Sequence, residues 1–134
     1  MLSLAEVEVV TGGTNLALQR STQQSTTING GVSARAVDGD ADGDYPKGSV
    51  THTAESTNPW WEVDLGQSYD ISKVILWNRT DCCDWRLSDF YILISDEPFE
   101  SHDLQKTLNQ PGVTAYFSEE RAGKPSEYLF VTTG

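Results

Sequence analysis

The chain has 134 residues and a formal charge of −11, from 20 acidic residues against 9 basic ones. That length suits one domain, residues 1–134, with a core of its own. The charge argues against nucleic acid or an anionic membrane surface as partner, and leaves cations, neutral ligands or plain solubility. No apolar run approaches the roughly 18 residues of a membrane-spanning helix, so no membrane insertion is expected.

The chain opens on LSLAEVEVV, residues 2–10. Leu2 and Leu4, then Val7 and Val9, face inward there, with Glu6 and Glu8 opposite. Acidic residues within the apolar pattern and the lack of a basic start make this a strand rather than a signal peptide. Turn residues follow in TGGTN and NGG. The loop RAVDGDADGDYPKGS, residues 35–49, begins like an EF-hand at Asp38, Asp40, Asp42 and Gly43. The pattern fails where Ser49 replaces the closing Glu, and no helices flank it. Several carboxylates and glycines on one loop still suit a hard cation that takes six to eight oxygens, some of them backbone carbonyls. The plainer alternative is an acidic turn.

Further along, WWEVDLG alternates Trp61, Val63 and Leu65 with Glu62 and Asp64. YDISKVILW, DFYILIS, VTAYFS and EYLFVTT follow as strands rich in β-branched and aromatic residues. DEPFESHDLQK could hold one short helix. NQPG and ERAGKPS are turns. Many short strands joined by polar turns predict an all-β antiparallel sandwich.

The chemistry gathers in NRTDCCDWR, residues 78–86, which holds both cysteines of the chain. Arg79 and Arg86, with His52, offer fixed donors suited to hydroxyl and ring oxygens. Asp81 and Asp84 could brace the guanidiniums through charge-assisted bonds. This is a polar sugar site in outline, or else a surface ion-pair cluster. Cys82 and Cys83 leave several readings open. A metal wants more ligands at wider spacing, and redox catalysis usually wants two intervening residues. A vicinal disulfide would present a compact apolar surface. Two buried free thiols are the remaining alternative. A glycosidase would need two carboxyls across a cleft. Asp81 and Asp84 lie beside arginines that depress their pKa and spoil an acid role. Asn78-Arg79-Thr80 is also a glycosylation sequon, and a glycan there would crowd the site.

These residues carry a resemblance. His52, a spacer of about 26 residues, then Arg79-Thr80-Asp81-Cys82-Cys83-Asp84-Trp85-Arg86 resembles the F-type lectin (fucolectin) motif of a His followed by R-x-D-x4-R/K. NPWWEVDLG, VDGDADGDYPKGSVTHT, TNLAL and STQQSTTINGG are similar to that family as well. The resemblance implies a discoidin-like jelly-roll β-sandwich that binds terminal L-fucose on glycans, is not an enzyme, and is secreted. His52, Arg79 and Arg86 would hydrogen-bond the ring oxygen and neighbouring hydroxyls. Cys82–Cys83 would be a vicinal disulfide against which the sugar packs. Asp81 would orient the arginines, and Tyr45 would lie near the sugar. A structural calcium would take the carbonyls of Arg35 and Asp40, the Asp38 carboxylate and Ser49.

The chain departs from the family in its order of elements. The family's last strand, resembling LxLCEVEV, has its match in LSLAEVEVV at the start. The resemblance therefore implies a circular permutation, with residues 2–10 in place of the C-terminal strand. Glu6 would then give calcium a carboxylate and Ala5 a carbonyl. The family's cysteine before THT is Val50, and that cysteine's usual partner is Ala5, so both halves of one disulfide are absent together. The rival view is a cut between tandem domains, with residues 2–10 filling the sheet edge in cis or by exchange between chains. The alternative function is a discoidin-like adhesion module for a protein or lipid, which leaves the His/Arg/Asp/Cys-Cys constellation unexplained. Single sugar sites bind weakly, so useful avidity would come from oligomerisation or fusion to other domains.

Overall fold

The computed structural model describes residues 1–130, so residues 131–133 of the last predicted strand lie outside the described residues. In chain order it contains β1 (Glu6–Thr11), β2 (Thr14–Asn15), β3 (Ser21–Gln24), β4 (Trp61–Asp64), β5 (Lys73–Trp77), β6 (Phe90–Ser95), α1 (Leu104–Leu108), β7 (Val113–Ser118) and β8 (Ser126–Leu129). The largest sheet has the order β2-β1-β5-β8, and β3–β4 and β6–β7 form two further pairs. Every pairing is antiparallel, as the alternating pattern predicted. The short helix expected in 96–106 is α1, capped by the Asp103 carboxylate, which accepts from Lys106 N–H.

The sheet is built on β5, whose Val74 and Leu76 alternate into the interior. β1 runs beside it from Glu6↔Trp77 to Val10↔Lys73 and adds Val7 and Val9 to the same core. Leu4, Leu87 and Tyr128 complete the buried cluster, and Trp61, Val63 and Leu65 pack against it as their alternation implied.

Two sequence expectations change. Glu6 was placed opposite the core, yet it is only 3% exposed. The loop at 38–39 covers that end of β1, and Gly39 N–H donates to Glu6 Oε2 at 2.9 Å. β3, with the sequence STQQ, has no apolar alternation and was not anticipated as a strand. It is one because its backbone pairs with β4, from Ser21↔Asp64 to Gln24↔Trp61. Partner availability, not side-chain pattern, makes this strand.

The segment before β1 lies against residues 51–53. Leu4 N–H donates to Thr51 Oγ1 at 2.9 Å, Thr51 N–H to Leu4 O at 2.9 Å and Thr53 N–H to Leu2 O at 3.0 Å. Ala5 and Val50 are both fully buried on these paired segments. The same pairing locks His52 in place. Gly31 packs on its other side, where a Cβ would lie 2.5 Å from His52 N.

A second close approach joins the acidic loop to the 78–86 loop. Thr80 N–H donates to Gly43 O at 2.8 Å. A Cβ at Gly43 would meet Asn78 O at 2.7 Å and Thr80 N at 2.9 Å, both backbone atoms that cannot turn aside. Gly43→Ala should therefore cost about 1–3 kcal/mol by forced displacement of one loop. Equilibrium chemical denaturation measures this, and an unchanged midpoint would show that the loops separate freely.

Candidate functional site

The 78–86 loop is anchored from inside by Asn78, which is 2% exposed. Its Nδ2 donates to Asp84 O and to Ala122 O, both at 2.9 Å, and its Oδ1 accepts from Arg79 N–H at 2.8 Å. The sequence marked this residue only as a sequon. Its amide is in fact an internal strut, with both donors spent on carbonyls.

Arg79 grips Asp81 in a two-pronged pair. Nε lies 2.8 Å from Asp81 Oδ1 and Nη2 lies 3.0 Å from Oδ2. The hydrogen bond from Arg79 pulls the Asp81 carboxyl down to about 2, and the same bond raises Arg79 above its ordinary value. The brace predicted for Asp81 is present, but the one predicted for Asp84 is not. Asp84 turns away to Lys124 at 3.2 Å and Arg121 at 3.3 Å. Its carboxyl is held below the usual range, chiefly by the Lys124 hydrogen bond. Neither carboxylate is poised as an acid. Among the described residues the Arg86 guanidinium has no hydrogen bond or ion pair, while its backbone N–H closes the turn Asp84–Arg86 onto Cys83 O at 3.0 Å. Cys82 and Cys83 form a disulfide, so neither is a free thiol.

Tyr45 ties the two loops together at this point. The Arg79 guanidinium lies 4.6 Å from the centre of its ring, within cation–π range, and Arg35 lies at 5.8 Å. Its N–H donates to Asp81 Oδ1 at 3.1 Å, and its hydroxyl donates to Asn29 O at 2.5 Å. The His52 ring meets it edge-on at 5.5 Å. His52 is 5% exposed, and its Nδ1 sits 2.8 Å from Thr53 O. A carbonyl only accepts, so Nδ1 carries a hydrogen and is spent on the backbone, which leaves Nε2 as the ring nitrogen without a partner among the described residues.

The structure thus brings together His52, Arg79, Asp81 and Tyr45, with Cys82, Cys83 and Arg86 following in the same loop. The side chain of Arg35 was missed by sequence reasoning, which used only its carbonyl. Its Nη1 donates to Val50 O at 3.2 Å. Nothing in the spacing of Arg35 relative to Tyr45 signals this.

The predicted calcium residues lie along the acidic loop and at the start of β1, which Gly39 joins. Much of that loop's aspartate spacing serves its own backbone. Asp40 N–H donates to Asp38 Oδ1 at 2.9 Å, Asp42 N–H to Asp40 Oδ1 at 3.0 Å and Asp44 N–H to Asp42 Oδ1 at 3.0 Å. Ser49 Oγ donates to Asp40 O at 2.5 Å, so two expected ligands bond each other. Ala5 is fully buried beside Glu6. Glu6 Oε1 is buried with no partner. Burial first, and then the neighbouring Asp38 carboxyl, push the Glu6 carboxyl up to about 8. Among the described residues no three His, Cys, Asp or Glu side chains gather as a metal cluster. A cation here would rest on Glu6 and Asp38 plus backbone carbonyls, a donor set that suits calcium and would satisfy the orphaned Oε1. 

Two surface depressions lie elsewhere. One is on the outer face of the large sheet beside Lys73 and Leu129, and the other is beside α1. Neither contains a residue of the predicted sugar site.

Comparison with known proteins agrees with this fold. Residues 35–127 match the family described as NedA-like, galactose-binding domain. Fucolectin-1 of Anguilla japonica is 42% identical over 87 residues, which cover 61% of this chain and 49% of that protein. The chain spans about half the length of the curated relatives it matches. A Streptococcus pneumoniae fucose binding module, SpX-3, superposes with a TM-score of 0.74 at 37% identity, covering 87% of this chain and 77% of that one. The lectin domain of lectinolysin complexed with Lewis B antigen superposes with a TM-score of 0.69 at 35% identity, covering 88% and 77%. The matched span contains the 78–86 loop, the acidic loop and His52, and the antiparallel fold is shared. The chain belongs to the NedA-like, galactose-binding domain family, and within it to the F-type lectin (fucolectin) domains.

Proposed function

We propose that this chain is a non-catalytic carbohydrate-binding module that recognises terminal L-fucose on glycans. The observation that carries the reading is the Arg79–Asp81 pair locked against Tyr45, in the same loop as the Cys82–Cys83 disulfide and the unpaired donors of Arg86. Donors fixed before the ligand arrives lose little freedom on binding. Arg79, Arg86 and His52 hydrogen-bond the ring oxygen and neighbouring hydroxyls. The vicinal disulfide offers an apolar face to the sugar's C–H surface. Similarity to a fucose binding module and to a lectin domain complexed with Lewis B supports the same ligand class. The adhesion-module alternative gives no role to a braced arginine with a second, unpaired arginine beside it.

The remaining readings are likewise proposed. A structural calcium is held by Glu6, Asp38, Ser49 and the carbonyls of Ala5, Arg35 and Asp40, with the buried unpartnered Glu6 Oε1 as its main support. Residues 1–134 form one domain in permuted order, supported by β1 lying in the sheet of its own chain and by the pairing of Leu4 with Thr51. The protein is placed outside the cell, where a disulfide persists. It gains avidity through several copies or fusion to other domains.

L-Fucose should bind in the roughly millimolar to micromolar range, as a monosaccharide does. His52→Ala and Arg79→Ala should each weaken it about tenfold or more, as expected for removed hydrogen bonds to charged or buried groups. Isothermal titration with circular dichroism as a fold control reads this. No heat with folded wild-type protein, or normal binding by both variants, would overturn the reading.

The Arg79 arm should also survive acid. Asp81 has a depressed carboxyl pKa, so the pair contributes fully above its ordinary value of 3.8 and is lost only as pH falls through about 2. Carbon-13 NMR of the Asp81 carboxyl should give a midpoint near 2, whereas one near 4 would mean that no pair forms.

Calcium should raise the melting temperature over protein in chelator, increasingly with concentration, because it binds only the native state. Glu6→Gln should remove most of that response, and identical melting with and without calcium would count against the site.

A further inference from the structure

Trp85 belongs to the predicted sugar loop but has no role in the site described so far. It lies two residues after Cys83 and one before Arg86. It is 58% exposed, while Trp60, Trp61 and Trp77 are half-buried. Trp61 and Trp77 spend their indole N–H groups on Ser33 O and Glu8 Oε2. Trp60 stacks on the His102 ring at 3.6 Å. Trp85 has neither kind of partner among the described residues, and it does not pack against the core cluster. 

Its backbone, by contrast, is held on both sides. Asp84 O accepts from Asn78 Nδ2 at 2.9 Å, and the Asp84 carboxylate is tied to Arg121 and Lys124. Trp85 O accepts from Ser88 Oγ at 2.7 Å. Arg86 N–H donates to Cys83 O at 3.0 Å. A large apolar side chain is therefore displayed in water from a rigid turn. The folded chain gains little burial from it. Such a placement is what a rigid aromatic contact for a ligand requires, because two side-chain torsions are all that binding must order.

We propose that Trp85 is the platform for the pyranose next to the terminal fucose, so that the site reads a fucosylated oligosaccharide rather than the monosaccharide alone. This rests on the fucose reading above. Trp85 shares the 78–86 loop with Arg79, Arg86 and the disulfide, so a fucose held there would bring its glycosidic neighbour close to this loop. A pyranose offers a flat C–H face to the indole. The exposed cations Arg121 and Lys124, already turned toward Asp84, supply donors for that residue's hydroxyls.

The test compares L-fucose with a fucosylated trisaccharide by isothermal titration, on wild-type, Trp85→Ala and Trp85→Phe proteins. Wild type should prefer the trisaccharide. Trp85→Ala should bind L-fucose within about twofold of wild type but lose roughly fivefold to tenfold toward the trisaccharide, the size of one aromatic contact. Trp85→Phe should recover most of that loss. The trisaccharide, and not L-fucose, should shift the indole emission of wild type, and Trp85→Phe should abolish the shift. Equal losses toward both ligands would make Trp85 part of the fucose contact itself and overturn the proposal. So would an unchanged trisaccharide affinity, or a change confined to self-association in sedimentation. Failure of wild type to bind L-fucose at all would instead remove the fucose reading on which the proposal stands.

Discussion

Thr80 N–H donating to Gly43 O at 2.8 Å joins two loops that are far apart in the chain, and the site depends on that junction. Because residue 43 has no side chain, its backbone lies against Asn78 and Thr80. Two residues on, Tyr45 then reaches Asp81 with its N–H and Arg79 with its ring. Arg79 is thereby held from two sides, by a carboxylate in its own loop and by an aromatic ring from the other. A guanidinium on a free loop would lose much of its orientation to side-chain entropy. Here it is set before any ligand arrives.

The same junction is anchored on the sheet. β5 ends at Trp77, and Asn78 follows at once, buried and fully bonded. β1 begins at Glu6, opposite Trp77, and the Glu6 carboxylate receives Gly39 N–H from the start of the acidic loop. One antiparallel pair therefore supports both loops, one at the end of β5 and the other over the start of β1. The buried Glu6 Oε1 marks the place where this support is incomplete with protein atoms alone. A divalent cation at that point would tie β1 to the acidic loop and, through it, to Tyr45 and Arg79.

The recognition surface is small and preorganised, which favours selectivity over strength. In the proposed site a braced arginine, a second arginine without a partner among the described residues and His52 would set directions for a few hydroxyls. The disulfide just before the turn Asp84–Arg86 and Trp85 within it would add apolar faces. Affinity for one sugar is bounded by the number of its atoms. Strength would then come from neighbouring sugars along a glycan or from several copies of the domain.

Much of this was legible in residue order. The alternation in 60–66 and 69–77 predicts β4 and β5, and the spacing of His52, Arg79, Asp81 and Arg86 marks the site proposed above. β3 was not legible, because STQQ pairs through its backbone and carries no apolar pattern. The burial of Glu6 was not legible either, since strand alternation says which face a residue takes but not what covers that face. Asp84 and Asp81 have identical chemistry and similar flanks. Only the folded chain brings Lys124 and Arg121 to the one and leaves Arg79 with the other. The sequence by itself determined the strand pattern, the acidic balance and the set of donor types, because these follow from side-chain chemistry and local period. The tertiary structure alone decided which carboxylate braces which cation, what buries His52 and which indole is left in water. Those outcomes depend on contacts between segments distant in the chain.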